Sequence, residues 1–186
     1  MEDEQQAIAR LKQGDLNGLE ALVKQYQALA VHTAFLIVAE RAPAEDIAQA
    51  AFLKAAKKIA QFDESRPFKP WFLRMVVNDS LKAARGRSRT PSLDAPSEAL
   101  LAWLTDPAPG PQELVETGDL QRVVWDALRQ LTPEQRAVIV QRHFLEMDEA
   151  EMVRELQRPA STVKWWLHTA RERLKTLLRP QAGRQE

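Results

Sequence analysis

The feature that most constrains the fold is a stripe of apolar residues in the last third of the chain. The stripe recurs at spacings of 4, 3, 4 and 3, and its members are Val163, Leu167, Ala170, Leu174 and Leu177. This period indicates an amphipathic helix with one buried face. A shorter helix is predicted just before it, from Asp148 to about Leu156, with a brief turn at 157–160. The pattern therefore predicts a helix-turn-helix unit between Asp148 and Leu178.

The face opposite that stripe is polar and basic. Residues 161–179 hold five basic residues and one acidic residue. A short helix, a tight turn and a longer helix with a basic outer face is the geometry that enters the major groove of DNA. We expect the first half of the long helix to meet base edges, and Arg171, Arg173 and Lys175 to contact phosphates. A helical hairpin with a solvated basic face would show the same pattern.

The rest of the chain also has a helical period and lacks the alternation of strands, which predicts an all-α fold. Four N-terminal helices are expected, over residues 2–13, 16–40, 43–62 and 68–85. Another helix is expected near 118–130. The segment Thr132-Pro133-Glu134-Gln135 marks a further helix start, because it combines a capping residue, a proline at the first position and a glutamine at the third. That helix should run to about Phe144.

A segment of different composition separates the two helical halves. Residues 87–117 contain five prolines, and residues 91–118 carry five acidic and no basic residues. Such a segment is typical of a linker, although it contains an apolar island at Leu100–Leu104. We expect an N-terminal four-helix domain at 1–88, a flexible linker at 89–117, a second domain at 118–180 and a disordered tail at 181–186.

The charge of the chain is distributed in blocks. The 26 basic and 26 acidic residues balance, but residues 1–90 carry +3, residues 91–118 carry −5 and residues 119–186 carry +2. Local basic patches matter more to a nucleic-acid partner than the net charge of zero.

Composition also excludes several classes of site. The chain has no cysteine, and its three histidines have no ligand spacing, so neither a metal nor another cofactor is expected. No Gly-rich phosphate loop and no nucleophile–base pattern points to an enzyme. The first six residues are acidic and polar, unlike a secretory signal. The longest apolar run, 28–39, is shorter than the roughly 20 residues that span a bilayer, so a cytoplasmic protein without membrane insertion is expected.

Two sets of residues resemble the extracytoplasmic-function (ECF) group of bacterial sigma factors. The C-terminal set resembles sigma region four and comprises 127–136 (ALRQLTPEQR), Glu151-Met152 and 162–174 (TVKWWLHTARERL). The N-terminal set follows the region-two pattern in order and comprises Gly14-Asp15, Tyr26, 45–49 (EDIAQ), Phe52-Leu53, Phe62, Phe68, Trp71-Phe72, Asn78 and 85–87 (RGR). Two matched halves in the right order are far more specific than either half alone.

In region two, the resemblance implies that one face of the third helix binds core RNA polymerase. The residues assigned to this face are Asp46, Gln49, Lys54 and Lys57. The family usually has a glutamate after the glutamine, whereas this chain has Ala50. The missing carboxylate predicts weaker or altered docking on the polymerase.

The resemblance also implies that the fourth helix and the loop before it read and melt the −10 promoter element. The residues assigned to this role are Asp63, Arg66, Arg74, Asn78, Lys82 and Arg85. The amide of Asn78 can donate and accept at the edge of a flipped base. The basic residues suit the phosphates of a single strand. The aromatic residues of the same helix, Phe68, Trp71 and Phe72, are expected in the core together with Met75, Val76 and Leu81.

In region four, the resemblance implies that the long helix reads the −35 element. The residues assigned to this role are Thr162, Lys164, Trp165, His168, Thr169 and Arg171. The chain departs from the family here, because Trp165-Trp166 replaces a small polar residue and an arginine, and Gln157-Arg158-Pro159 replaces glycine, an aliphatic residue and serine. Two indoles cannot reproduce the fork of an arginine on guanine. They would pack on thymine methyls or sugars, or bind a protein, and Trp166 could lie partly in the core.

The sequence thus predicts an ECF-type sigma factor that binds core RNA polymerase and promoter DNA, with an anti-sigma factor as a candidate regulator. Two alternatives stay open. One is a sigma-like DNA-binding regulator that no longer engages core polymerase, which is suggested by Ala50. The other is a degenerate homologue that serves as a protein-interaction module, which is suggested by Trp165-Trp166.

Overall fold

The computed structural model describes residues 3–86 and 125–178, and no structural statement below extends beyond them. The chain divides into two compact units, Met1–Ser92 and Leu93–Glu186. The residues so described form helices joined by turns and loops and include no strand, which confirms the predicted all-α fold. The predicted linker at 89–117 with its island Leu100–Leu104, the predicted helix residues 118–124 and the tail at 181–186 lie outside the described residues.

Between residues 3 and 86, the N-terminal unit contains four α-helices, close to the predicted bounds. They are α1 (Glu4–Lys12), α2 (Leu16–Val38), α3 (Arg41–Lys58) and α4 (Phe68–Gly86), and a short 3₁₀ helix, Ile59–Gln61, follows α3. Gly14 separates α1 from α2 at a φ of +86°, and Asp15 then caps α2 by accepting a hydrogen bond from the backbone N–H of Asn17. The second helix ends two residues before the predicted Glu40, because Ala39 adopts the left-handed conformation.

The core of this unit is largely aromatic, and α4 supplies much of it. Phe72 lies 4.5 Å from Phe52 and 5.7 Å from Phe68, measured between ring centroids. Phe68, Phe72, Val76 and Leu81 are buried as predicted, whereas Trp71 and Met75 are only half-buried. Leu73 and Val77 are fully buried although the sequence did not single them out, because α4 packs against both α2 and α3 and needs two apolar faces.

The α2 helix has the length and composition of a membrane span. Slightly more than half of its most apolar stretch of 18 residues, 56%, is buried inside the unit. The sequence prediction took residues 28–39 as the apolar stretch of this helix, which is too short, because Leu19, Leu22 and Val23 extend the stretch toward the N-terminus. Burial of this kind is what the core helix of a soluble domain also shows.

In the part of the C-terminal unit that the structure describes, three helices follow a helical segment at 125–129. They are α5 (Pro133–His143), α6 (Glu149–Leu156) and α7 (Ala160–Leu177). Thr132 and Gln135 form the predicted capping box of α5, and Asp148 and Glu151 form a second box at α6. The α6 helix ends at Gln157, which has a left-handed φ of 51°, and Pro159 takes the N-cap position of α7.

The apolar stripe of α7 holds the helix-turn-helix together. Val163, Leu167 and Ala170 are buried, and Ala170 belongs to a cluster with Leu131 and Ile139. Leu174 and Leu177 are half-buried near the end of the helix. On α6, Met152 and Leu156 are buried and Val153 is half-buried. The predicted helix-turn-helix between Asp148 and Leu178 is therefore present.

Candidate nucleic-acid interface

The predicted DNA-binding residues of α4 form a polar stripe that becomes more exposed toward the C-terminal end of the helix. Arg74 and Asn78 are half-buried, and Lys82 and Arg85 are exposed. The stripe therefore leads from a sheltered amide and guanidinium to two exposed cations. A sheltered amide suits a base edge, and exposed cations suit phosphates. Arg87 and Arg89, which the sequence places beyond this stripe, lie outside the described residues.

The loop before α4 is held in shape by its own residues. Asp63 Oδ1 accepts hydrogen bonds from the backbone N–H and the hydroxyl of Ser65, at 3.0 and 2.7 Å. These bonds hold the pKa of the Asp63 carboxyl below its usual value. Arg66 adds an ion pair of 3.4 Å to the same carboxylate. Asp63 thus organises the loop, while the exposed Arg66 is its cation nearest the start of α4.

Lys12 anchors this loop from α1, which the sequence did not indicate. Its ammonium group donates to the carbonyl of Phe62 at 2.9 Å and to Glu64 Oε1 at 2.6 Å. The partners lie about 50 residues away in sequence, so no local pattern could reveal the contact. A cavity of about 340 Å³ lies between α1 and the loop, bounded by Ile8, Phe62 and Arg66 among others.

The predicted polymerase-binding residues of α3 fall into two groups. Asp46, Gln49 and Lys57 are exposed. Lys54 is instead half-buried and donates to both carboxylate oxygens of Asp79 on α4, at 3.0 and 3.3 Å. Lys54 therefore connects α3 to the helix that carries the −10 candidates.

An apolar groove adjoins Gln49, and sequence reasoning assigned it no role. The groove has a volume of about 450 Å³ and lies between α2 and α3. It is lined by Leu19, Val23, Gln27, Val31, Glu45, Ala48, Gln49, Phe52 and Leu53. Leu53 is 60% exposed although it is a large apolar residue. The signal in the sequence was a leucine four residues after Gln49 on a polar helix face.

The long helix α7 presents most of its predicted DNA-binding residues to solvent. Lys164, Trp165, His168 and Arg171 are exposed, whereas Thr162 and Thr169 are half-buried. Trp166 is also half-buried, in keeping with a position at the edge of the core. The ammonium group of Lys164 lies 3.5 Å from the carboxylate of Glu149 at the start of α6. Cations and hydrogen-bond donors on an exposed helix of this kind can contact both phosphates and base edges.

The hydroxyl of Thr169 is engaged within the unit. It donates to the carbonyl of Trp165 at 2.7 Å and accepts a hydrogen bond from Gln135 Nε2 at 2.9 Å. Gln135 Oε1 accepts in turn from the backbone N–H of Thr132 at 3.0 Å. The residue that completes the capping box of α5 therefore also holds α7. The sequence predicted the first role of Gln135 and missed the second.

The described residues offer no metal site, since they contain no group of three or more histidine, aspartate or glutamate side chains that could hold an ion. The chemistry of the surfaces above is that of hydrogen bonding, ion pairing and apolar contact.

Comparison with known proteins places two family matches on the two units. The family described as Sigma-70 region 2 matches residues 22–90, and the family described as Sigma-70, region 4 matches residues 121–174. The RNA polymerase sigma-H factor of Pseudomonas aeruginosa is 27% identical over 185 residues, which cover 96% of this chain and 95% of that protein. The ECF RNA polymerase sigma factor SigW of Bacillus subtilis is 29% identical over 177 residues, which cover 92% and 95%.

Solved structures of similar fold include the sigma factor RpoE in complex with the anti-sigma factor NepR from Bartonella quintana. The TM-score is 0.58 at 18% identity, and the match covers 87% of this chain and 97% of that chain.

Proposed function

Since the chain belongs to the extracytoplasmic-function group of the sigma-70 family, we propose how its two units divide the work of promoter recognition. As a sigma factor, the chain directs RNA polymerase to promoters and initiates transcription there. In our proposal, residues 1–88 bind core polymerase and the −10 element, and residues 118–180 bind the −35 element. Residues 89–117 link the two domains, and residues 181–186 form a tail. The observation that carries this division is the match of regions two and four, in that order, to two separate units.

The −10 element is read, in this proposal, by the stripe on α4 and the loop before it. The half-buried Asn78 and Arg74 would hold a flipped base through the amide of the first and the guanidinium of the second. The exposed Lys82 and Arg85 would follow the phosphates of the melted strand, and Arg66 would meet the strand at the loop. Asp63 would act through the shape that it gives the loop, because its carboxylate is bonded to Ser65.

Core polymerase is bound, in this proposal, by the exposed face of α3. Asp46, Gln49 and Lys57 supply polar contacts, and the groove beside Gln49 with the exposed Leu53 supplies an apolar one. Interfaces of this kind combine an apolar centre with a polar rim. Apolar contacts in the groove would compensate for the contact with polymerase that is lost because this chain has Ala50 in place of a glutamate. Lys54 would contribute indirectly, since it pairs with Asp79.

The −35 element is read by α7. Lys164, Trp165 and His168 lie on the exposed part of the helix that would face base edges, and Arg171 lies one turn further on, where phosphates would pass. The half-buried Thr162 and Thr169 border this surface. Because the Thr169 hydroxyl bonds to Gln135 and to Trp165, we propose that Thr169 acts mainly by holding α7 in place.

The partners and setting follow from the family. The related RpoE is bound by the anti-sigma factor NepR, and we propose that a protein of that kind holds this chain inactive. Sigma factors are regulatory proteins, and we propose for this chain a cytoplasmic role without covalent catalysis.

Run-off transcription with core polymerase on a promoter library tests the proposal. The chain should support initiation on a subset of sequences that share two conserved blocks. Joint replacement of Asp46 and Gln49 by alanine should lower binding to core polymerase, whereas Lys24→Ala, an exposed change on α2, should not. Two results would refute the proposal: initiation without any sequence preference, or a level of initiation no higher than that of core polymerase alone.

A further inference from the structure

Trp165 is the most exposed large apolar side chain in the described part of the C-terminal unit, at 58%. It lies near the start of α7, where Lys164 and His168 are also exposed. The apolar residues that hold α7 in the unit, Val163 and Leu167, are buried on the opposite side. Trp165 therefore adds little to the core, and its indole surface can contact a partner on the face that we propose meets DNA.

Two polar side chains near Trp165 in α7, those of Lys164 and Thr169, have partners within the unit. The ammonium group of Lys164 lies 3.5 Å from Glu149. The hydroxyl of Thr169 bonds to the backbone carbonyl of Trp165 and to Gln135. The backbone at Trp165 is thereby tied to α5 through Thr169 and Gln135. An aromatic side chain on a fixed backbone loses little conformational entropy on binding and is well suited to act as an anchor.

The chemistry of indole selects among the four bases. Its Nε1–H group donates a hydrogen bond and accepts none, and its rings are apolar. In the major groove, thymine presents an acceptor, O4, beside a methyl group. Cytosine presents an amino donor, guanine presents acceptors without an apolar group, and adenine presents one acceptor and one donor. Thymine is therefore the base that an indole complements best.

We infer that Trp165 reads a thymine in the upstream promoter element through the C5-methyl group of that base. The inference rests on the proposed function, because it requires α7 to lie in the major groove. It makes Trp165 a specificity-determining residue, with a preference for thymine where a residue such as arginine would select guanine.

Deoxyuridine tests the inference, since it lacks only the C5-methyl group of thymine. A promoter selected by run-off transcription is prepared with each thymine of the upstream element replaced in turn by deoxyuridine. The affinity of the wild-type holoenzyme for the promoter is expected to fall about fourfold at one position, which corresponds to the loss of one buried methyl group. The Trp165→Ala holoenzyme is expected to bind the thymine promoter about as weakly and to lose nothing further on deoxyuridine.

Two variants serve as controls. Trp165→Phe keeps an apolar ring and should keep the response to deoxyuridine. His143→Ala, an exposed change on α5, should keep it as well. Thermal unfolding of the Trp165→Ala chain should match the wild type, because the side chain is exposed. A change in promoter affinity then reports on contact with DNA rather than on folding.

Several results would overturn the inference. The wild-type holoenzyme could bind deoxyuridine and thymine promoters equally at every position, the selected element could lack thymine, or the Trp165→Ala chain could keep the deoxyuridine response. A Trp165→Ala chain with full promoter affinity that fails to bind another protein would assign the indole to protein recognition. Transcription initiation would persist in these cases, so the proposed function would stand. A wild-type chain that initiates nowhere would overturn both.

Discussion

Gln135 Nε2 donates a hydrogen bond to Thr169 Oγ1 at 2.9 Å and so joins the start of α5 to the middle of α7. Gln135 is only 7% exposed, and its other amide atom completes the capping box with Thr132. One side chain therefore fixes both the beginning of α5 and the position of the helix proposed to enter DNA. Since Thr169 also bonds to the carbonyl of Trp165, the link extends to the proposed base-reading residue.

We expect Thr169→Val to lower the free energy of unfolding by about 1–3 kcal/mol, because valine keeps the volume and leaves the amide of Gln135 without its partner. The same change should weaken binding to the −35 element. Urea denaturation and promoter binding check the two effects. In a double-mutant cycle with Gln135→Ala, the two changes should couple by at least about 0.5 kcal/mol. Additive effects would show that the link between α5 and α7 carries no free energy.

Gly18 marks a close approach between α1 and α2. A Cβ atom at this position would lie 2.3 Å from the carbonyl oxygen of Ala7 and 2.8 Å from the backbone nitrogen of Leu11. Both neighbours are backbone atoms, so relief requires the helices to separate. We expect Gly18→Ala to lower the free energy of unfolding by about 1–3 kcal/mol. Gly86→Ala is the matched control, because a Cβ there meets nothing within 4 Å. Equal effects of the two substitutions would contradict the close approach.

Leu53 is the apolar residue that we expect to contact core polymerase. Leu53→Asp places a charge in the groove beside Gln49 and should reduce the affinity for core polymerase about tenfold, as expected when an apolar contact becomes a buried charge. Leu16→Asp is the control, since Leu16 is 70% exposed and lies outside the groove. Titration of core polymerase with labelled protein measures both. Similar affinities of the two variants would remove the groove from the interface.

His32 should make the chain sensitive to acid. Burial in α2 lowers the pKa of this imidazole from 6.5 to about 4. Below pH 6.5 the unfolded chain takes up a proton that the folded chain does not, so the free energy of unfolding should decrease as the pH falls from 6.5 to 4. The decrease should reach about 3 kcal/mol at most.

Urea denaturation of His32→Leu over this pH range tests the assignment. The slope of the free energy of unfolding between pH 6.5 and 4 should be smaller in the variant than in the wild type, whereas Gln27→Ala, an exposed change on the same helix, should keep the slope. A variant that keeps the full slope would place the acid sensitivity elsewhere.

Local patterns predicted the elements of this fold better than the contacts between them. The spacing of Val163, Leu167 and Ala170 fixed the buried face of α7, and Thr132-Pro133 with Gln135 fixed the start of α5, because both depend only on neighbours in sequence. The early end of α2 at Ala39 was not predicted, because alanine has no preference for the left-handed conformation that ends the helix there.

The contacts that shape the candidate surfaces join residues far apart in sequence. Lys12 holds Glu64, Lys54 holds Asp79, and Gln135 holds Thr169. Along the sequence, the neighbours of each of these polar side chains give no indication of its partner. The groove beside Gln49 was missed for a related reason, because it is formed by two helices and neither one shows it alone.

The central claim is that one chain reads a promoter in two parts and opens it. The most direct measurement is a footprint of the reconstituted holoenzyme on a selected promoter, combined with a chemical probe of unpaired thymines. We predict protection of two blocks, near −35 and −10, with unpaired thymines only at the downstream block. Trp165→Ala should weaken protection upstream, and Asn78→Ala should reduce the unpaired signal downstream. Protection of a single block, or a promoter that stays fully paired, would contradict the account.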